Sequence, residues 1–533
     1  MVKISRSESI SNDLATTDCV IDGGSDSDRE LSELQPFSTT GKVLEGMSLF
    51  REICFVGIIA ISQLLTQACL AQALAPLHYI GASFNITKPG DLSWFCASYS
   101  LTVGTFILPA GRLGDLFGSR KLFQIGYVWF AIWTLIAGFS VYCNAILFHF
   151  CRALQGLGPA LILPNGLALL GRAYKPGMRR NMAFAVFGAV APFGFLMGAT
   201  FAGIFAQFVW WPWNFWVGAI IMAFATLIST YCIPLELDKS ELSSFHRSDI
   251  AKLDPVGIAT GVTGLVLFNI AWNQGSNVGW SVPYTSVLLV LGVLLFTLFI
   301  VNELKWAEYP LLPIRELPKE IYFVLASIGL GWSSFGIWIY YWWQISLQLR
   351  QNSILLTVAM QSPASITGAI AAISVGYLLS RFGANYIILV SMIAFCVGCI
   401  LMGTMPIHQT YWAQTFVGVC IIAFGMDMSF PSGTIILSDA MTKEHQGIAG
   451  SLINTIVNYS VSIGLGIAGT VESQINKDRV HLKEGYRSAL YVGIGLSGLG
   501  IVCALLHIIS AKIDRKPGID AVEKPDLENG CNE

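Results

Sequence analysis

Two ionisable side chains, Arg152 and Asp427, stand inside otherwise apolar stretches. A charge within a lipid-spanning helix is costly, so each is a functional candidate by default. Burial disfavours the charged form of a carboxylate. Asp427 is therefore expected to be an acid that binds and releases a proton in each working cycle. The competing reading is a fixed charge held by a structural partner. For Arg152 the competing reading is an anchor to neighbouring carbonyls. Uncharged polar groups join these two. Gln63 and Gln67 are four apart and share a helix face. Ser451, Asn454, Asn458 and Ser462 form one helical stripe. Such stripes either bond neighbouring helices or line a wet cavity. The stretch 332–343 is crowded with aromatics. Trp332 and Phe335 are expected to face the cavity, where aromatic faces can stack on flat or cationic cargo. Gln361 completes this cavity set, which takes Gln63, Gln67, Asn454 and Asn458 from the two polar faces.

The elements that must position these groups are membrane helices. The 533 residues are 54% hydrophobic and only 12% charged, where a soluble domain carries roughly 25% charge. A net charge of −2 argues against a nucleic-acid partner. Of the twelve cysteines, Cys396 and Cys399 form a CxxC, but within an apolar helix, where packing is the expectation. Residues 1–49 are rich in Ser, Asp and Glu and read as a disordered tail rather than a cleaved leader. Residues 512–533 read as a second, short tail.

A helical span needs about 20 mostly apolar residues. Fourteen such segments are predicted, near 53–74, 92–111, 122–142, 145–170, 182–206, 213–234, 256–273, 284–302, 321–346, 354–379, 385–405, 411–437, 447–471 and 488–510. The fold class expected is an all-α polytopic membrane protein. Six helices (50–234) form a first bundle, 235–320 is a linker with two extra helices, and 321–511 is a second six-helix bundle. Of the 31 Lys and Arg residues, only Lys88, Arg350, Lys477, Arg479, Lys483 and Arg487 fall on the side away from the tails, and Arg152 falls inside a span. The positive-inside rule then makes both termini cytoplasmic. Asn85-Ile86-Thr87 is a glycosylation sequon on the expected outer side.

An internal repeat supports two similar halves. Gly111-Arg-Leu113-Gly-Asp115-Leu-Phe117-Gly118 shares its Gly-x-Leu-x-x-x-Phe-Gly frame with Gly376 to Gly383, and Leu163-Pro164-Asn-Gly166 is echoed by Phe430-Pro431-Ser-Gly433. Parallel repeats build one class of secondary transporter, with the substrate site between the halves. The charged loop GRLGDLFGSRK reads as a conformational latch. Gly111 and Gly118 allow a tight turn and close helix approach. Asp115 can meet the positive end of a helix from the other half, and Arg120, with Arg381 in the repeated loop, holds the cytoplasmic surface. In the fifth span Gly188, Pro192, Gly194 and Gly198 read as a hinge and seal, or as tight packing alone.

The loop GRLGDLFGSRK resembles the signature loop of the major facilitator superfamily, with Ser119 where that family usually has a basic residue. Arg152-Ala-Leu-Gln155-Gly156-Leu-Gly158 resembles its fourth-helix signature. That resemblance implies a role for Arg152 in modulating proton coupling and adds Gln155 to the cavity set. Gly188 to Gly198 resembles its fifth-helix antiporter signature, with Ala191 replacing a usual Gly. Asp254-Pro-Val-Gly257 before the seventh span and Gly279-Trp280 before the eighth resemble the fourteen-span drug:H+ antiporter-2 branch. WSSFGI (332–337), FGMDMSFP (424–431) and AGSLINTIVNYS (449–460) resemble the fungal aminotriazole-resistance group within it. Many branch members carry an acid near the position of Gln67; this chain does not. The resemblance implies export of toxic small molecules or borate, and one relative is associated with low-affinity ammonium transport.

The function expected is proton-coupled efflux by alternating access, with low-affinity uptake of a solute such as ammonium as the alternative. A non-transporting nutrient sensor is the reading from another class; sensors usually need an output domain, and the tails are short. No catalytic motif, spaced zinc ligands or ATP-binding loop is present, so no enzyme, metal or cofactor is expected. The partners expected are a small-molecule substrate, protons and the lipid bilayer. The protein is expected to be a monomer in the plasma membrane, with the vacuolar membrane as the alternative.

Overall fold

The structure is a computed structural model that describes residues 47–86, 88–175, 178–237, 252–441, 446–477 and 480–514. Residues 1–46 and 515–533 of the predicted tails and the centre of the loop between the halves lie outside those residues. Fourteen described segments are long and apolar enough to cross a membrane, each close to a predicted one.

Local sequence sets the helix starts. The first half contains α1 (Leu49–Leu74), the short α2 (Leu77–Ser83), α3 (Pro89–Phe117), α4 (Ser119–Phe139), α5 (Ala145–Ala173), α6 (Met178–Phe208) and α7 (Pro212–Cys232). The extra pair is α8 (Pro255–Val278) and α9 (Pro283–Val301). The second half contains α10 (Lys319–Gln344), α11 (Ile354–Gln361), α12 (Pro363–Phe382), α13 (Ala384–Thr404), α14 (Gln414–Ala440), α15 (Gln446–Ile475) and α16 (Leu482–Asp514). Proline opens α3, α7, α8, α9 and α12, where its missing N–H costs nothing. Asn144 and Asp254 cap α5 and α8 by accepting from Leu147 N at 2.8 Å and Gly257 N at 2.9 Å.

The tenth span crosses as one segment, as predicted, with its hydrogen-bond ladder interrupted at Pro363. Pro363 cannot donate to the i−4 carbonyl and its ring crowds the preceding turn, so α11 ends at Gln361 and α12 starts at Pro363, while Ser362 between them keeps helical dihedrals.

The packing repeats between halves. In the first, α1 packs on α6 and α7, α5 on α3 and α4, and α4 on α7; in the second, α10 packs on α15 and α16, α14 on α12 and α13, and α13 on α16. Two seams join the halves, α3 against α15 and α6 against α11 and α12. The extra helix α8 lies along the first seam, touching both α3 and α15. Equivalent points share geometry: Gly118 and Gly383 end their loops at φ 103° and 78°, and Pro164 and Pro431 sit inside α5 and α14. Fourteen crossings put Leu49 and Asp514 on one face, the near face; the loops after α1, α10 and α15 lie on the far face.

Candidate functional site at the seam between the halves

Asp427 lies on α14 where α12 and α6 meet. A side chain at Gly368 of α12 would collide with its Oδ2, and the Pro192 ring of α6 lies beside the same point. Asp427 Oδ2 is buried and accepts no hydrogen bond. One turn nearer the interruption in the tenth span, Ser365 Oγ donates to Pro192 O at 3.1 Å, a bond between the two halves. Gln361, at the end of α11, is buried with its Oε1 unpartnered. A carboxylate with an unpaired oxygen thus lies beside Gly368, and Pro192 of the other half's fifth-span signature borders the same glycine.

Arg152 is wholly buried and differently placed. Its Nε donates to Phe95 O and its Nη2 to Cys69 O, both at 2.9 Å; its Nη1 donates to Gln155 Oε1. The guanidinium lies 4.6 Å from the Tyr99 ring centroid, and Tyr99 Oη donates to Thr66 O at 2.9 Å. Gln155 Nε2 continues to Thr134 Oγ1 at 2.7 Å. The network ties α1, α3, α4 and α5 together, and Arg152 has no carboxylate partner among the described residues. Carbonyl oxygens and an aromatic face satisfy this cation. Gln155, expected along the cavity, is wholly buried inside this clamp because both ends of its amide are used.

The other expected cavity residues divide. Gln63 and Gln67 are half-buried on α1, with Gln63 Oε1 unpartnered. Trp332 and Phe335 are half-buried, and their rings pack on each other and on Phe395. Trp332 Nε1 also donates to Ser429 Oγ at 3.1 Å, two residues from Asp427. Asn454 and Asn458 turn back, each donating to the carbonyl four residues earlier at 3.0 Å. Ser462, in the same stripe, donates to Ala97 O at 3.1 Å and to Asn269 Oδ1 at 3.0 Å, so this end of the stripe joins α15 to α3 and α8.

The hinge set also divides by face. Gly194 and Gly198 let α6 come against the backbone of Leu64 and Ala68 on α1, while Pro192 faces the second half and Gly188 borders open space. In the latch, Asp115 Oδ1 accepts from Arg172 Nη2 at 3.0 Å, within the first half, and Arg172 Nη1 donates to Ser119 Oγ at 3.0 Å. Residues 442–445, which lead into the facing helix α15, lie outside the described residues. Arg120 closes the end of α7 by donating to Thr230 O at 2.9 Å. Arg381 is exposed and donates to Tyr377 on its own helix at 3.1 Å, so that bond does not cross between halves. Gly111 is approached by Ser451 of α15, whereas its equivalent Gly376 has nothing near it. Asn85 is exposed on the far face.

Two buried acids escaped the sequence reading, Glu303 and Glu472. Each lies one residue beyond the end of a predicted span, where hydropathy cannot tell a solvated acid from a buried one. Asn302 Nδ2 donates to both oxygens of Asp254 at 3.1 Å, and Leu312 N donates to Glu303 Oε2 at 3.1 Å, which joins α8, α9 and the following loop.

The two bundles, their matching packing and the two seams coincide with a family match. The family model of the Major Facilitator Superfamily matches residues 56–317 and 321–528. The chain belongs to that superfamily. As a member it is an integral, multi-pass membrane transporter of small molecules and not an enzyme. It is 51% identical over 473 residues to the low affinity ammonium transporter of Saccharomyces cerevisiae, covering 89% of this chain and 91% of that one. It is 43% identical over 463 residues to the efflux pump terJ of Aspergillus terreus (87% and 89% covered). It is 38% identical over 480 residues to the aminotriazole resistance protein of Saccharomyces cerevisiae (89% and 87% covered). A solved POT family transporter in complex with a thioalcohol-conjugated peptide shares the fold, with a TM-score of 0.66 at 16% identity, covering 89% of this chain and 99% of that one.

Proposed function

We propose that the protein is a secondary transporter that exports a toxic or drug-like small molecule by alternating access, with Asp427 as the acid that couples export to a proton gradient. One observation carries the reading: an unpartnered carboxylate oxygen buried at the junction of α14, α12 and α6. Burial without a partner penalises the charged form, so rocking at this seam changes the hydration of Asp427 and with it the proton it holds. Arg152 acts through position, holding α1 and α3 as a rigid wall. Half-buried Gln63, Gln67, Trp332 and Phe335 supply polar and aromatic contacts to the cargo. The similarity to an efflux pump and a resistance protein supports the outward direction.

A second reading, low-affinity uptake of a small solute such as ammonium, is favoured by the 51% identity to the ammonium transporter. Flux in vesicles containing the purified protein separates the two. Export predicts that an aminotriazole-like compound moves against an imposed proton gradient and that Asp427→Asn stops it. Methylammonium uptake that is indifferent to the gradient and to Asp427→Asn would replace the first reading with the second.

A further inference from the structure

A cavity of about 250 Å³ opens at the far face, remote in the fold from the Asp427 seam. Its walls come from α3, α8, α10 and α15, so one of the two extra helices helps to enclose it. Within it Glu472 is only 4% exposed. Tyr341 Oη donates to Glu472 Oε2 at 3.0 Å. That donor is neutral, and no cation pairs with this carboxylate among the described residues. The lining serines spend their hydroxyls on their own helices: Ser93 on Gly90 O, Ser276 on Asn273 O and Ser473 on Thr470 O. The Asn277 amide is engaged by Asp91. Glu472 and the hydroxyl of Tyr340, which makes no hydrogen bond among the described residues, are the acidic and the neutral group that remain for a ligand beside the two lysines of the lining. Tyr340 is nearly buried, and its ring meets that of Tyr341 edge-on at 5.2 Å. Lys88 and Lys477 also line the cavity, but both are exposed, so solvent screens them.

We propose that this cavity binds a small ammonium-type cation on the far face, with Glu472 as the counter-charge and Tyr340 as the hydrogen-bond acceptor and aromatic wall. A buried carboxylate held only by neutral donors lacks a positive partner. A compact N–H cation supplies the charge and donates to both oxygens, while tyrosine faces favour it over an anion. The site is separate from the Asp427 seam, and its occupancy does not depend on the direction in which cargo moves.

The test titrates methylammonium chloride into the purified full-length protein in lipid nanodiscs and follows the melting temperature against sodium chloride at equal ionic strength. A ligand that binds only the folded protein raises that temperature saturably. The expected result is a saturable rise with methylammonium alone. Glu472→Gln should raise the half-saturating concentration at least about tenfold, and Tyr340→Phe about threefold. Asp427→Asn should leave the titration unchanged. A wild-type rise no larger than that with sodium chloride overturns the proposal. So does a Glu472→Gln protein that titrates like the wild type, or loss of the effect in Asp427→Asn alone. Should Glu472→Gln fail to fold, Tyr340→Phe decides, because its hydroxyl bonds no described residue; an unchanged titration there also overturns the proposal. Loss of proton-driven flux in Asp427→Asn with the titration intact would keep the two sites distinct.

Discussion

Asp427 on α14 lies so close to Gly368 on α12 that no side chain fits between them. The acid and the small residue form one unit, and that unit sits where Pro192 of the other half arrives. Two substitutions separate its chemistry from its packing. Asp427→Asn keeps the shape and removes the proton, so pH-driven flux is expected to be lost with little change in melting temperature. Gly368→Ala would gain about 1 kcal/mol of helix propensity, but its methyl group would meet the carboxylate, at a cost of about 1–3 kcal/mol from overpacking. The net expectation is lower stability together with impaired flux. Thermal unfolding and vesicle flux on the same preparations check both, and a Gly368→Ala protein with normal flux would show that the contact is incidental.

Arg152 makes a contrasting prediction. Its three nitrogens are spent on Phe95 O, Cys69 O and Gln155. Charged hydrogen bonds are worth about 1.5–3 kcal/mol each, and Arg152→Ala would leave buried carbonyls without donors. The melting temperature and the surface level should fall clearly, and Arg152→Lys should recover only part because an ammonium cannot reproduce the planar fork. Proton-driven flux per correctly folded molecule should survive in Arg152→Ala. If that flux vanishes while the fold is intact, Arg152 acts in coupling itself.

The fourteen spans were legible because each buries an apolar run long enough to dominate a hydropathy window. Asp427 was legible for the converse reason, as an acid deep in such a run. Partners were harder to read. Arg152 is held by carbonyl oxygens, which every residue carries and no sequence displays. Gly368 and Ser365 meet Asp427 and Pro192 just after the interruption at Pro363, and a hydropathy window averages over such a feature although the proline is visible. Asn454 and Asn458 share the stripe's spacing with Ser462, yet they bond their own helix. Period shows which face a residue occupies, not what the neighbouring helix offers it.

The repeated loops end on glycines that the backbone requires. Gly118 joins α3 to α4 at φ 103° and ψ 120°, and Gly383 joins α12 to α13 at φ 78° and ψ 154°. A side chain is strained in this region by about 1–3 kcal/mol. Gly118→Ala and Gly383→Ala should each lower stability by that order, and the double variant should be close to additive because the sites belong to different halves. Thermal melts of the three variants test this. Tolerance of alanine at Gly383 alone would break the equivalence of the two loops.

On the far face His78 of α2 and Gln344 of α10 bridge the halves, Nε2 to Oε1, at 2.7 Å. Burial pushes the His78 imidazole below its ordinary value of 6.5, and the hydrogen bond to Gln344 opposes that shift. The closed contact therefore prefers neutral histidine, whereas an opened arrangement exposes the ring and restores its ordinary proton affinity. Closure is at full strength above 6.5 and weakens as the pH falls below it, because the opened form takes up the proton first. Amide exchange across Leu77–Ser83, corrected for the intrinsic pH dependence, should accelerate between about pH 7.5 and pH 5.5. His78→Gln keeps a hydrogen-bonding side chain without a titrating ring, so the pH-linked part of that acceleration should disappear. If the variant still loosens on acidification, another group governs the far-face closure.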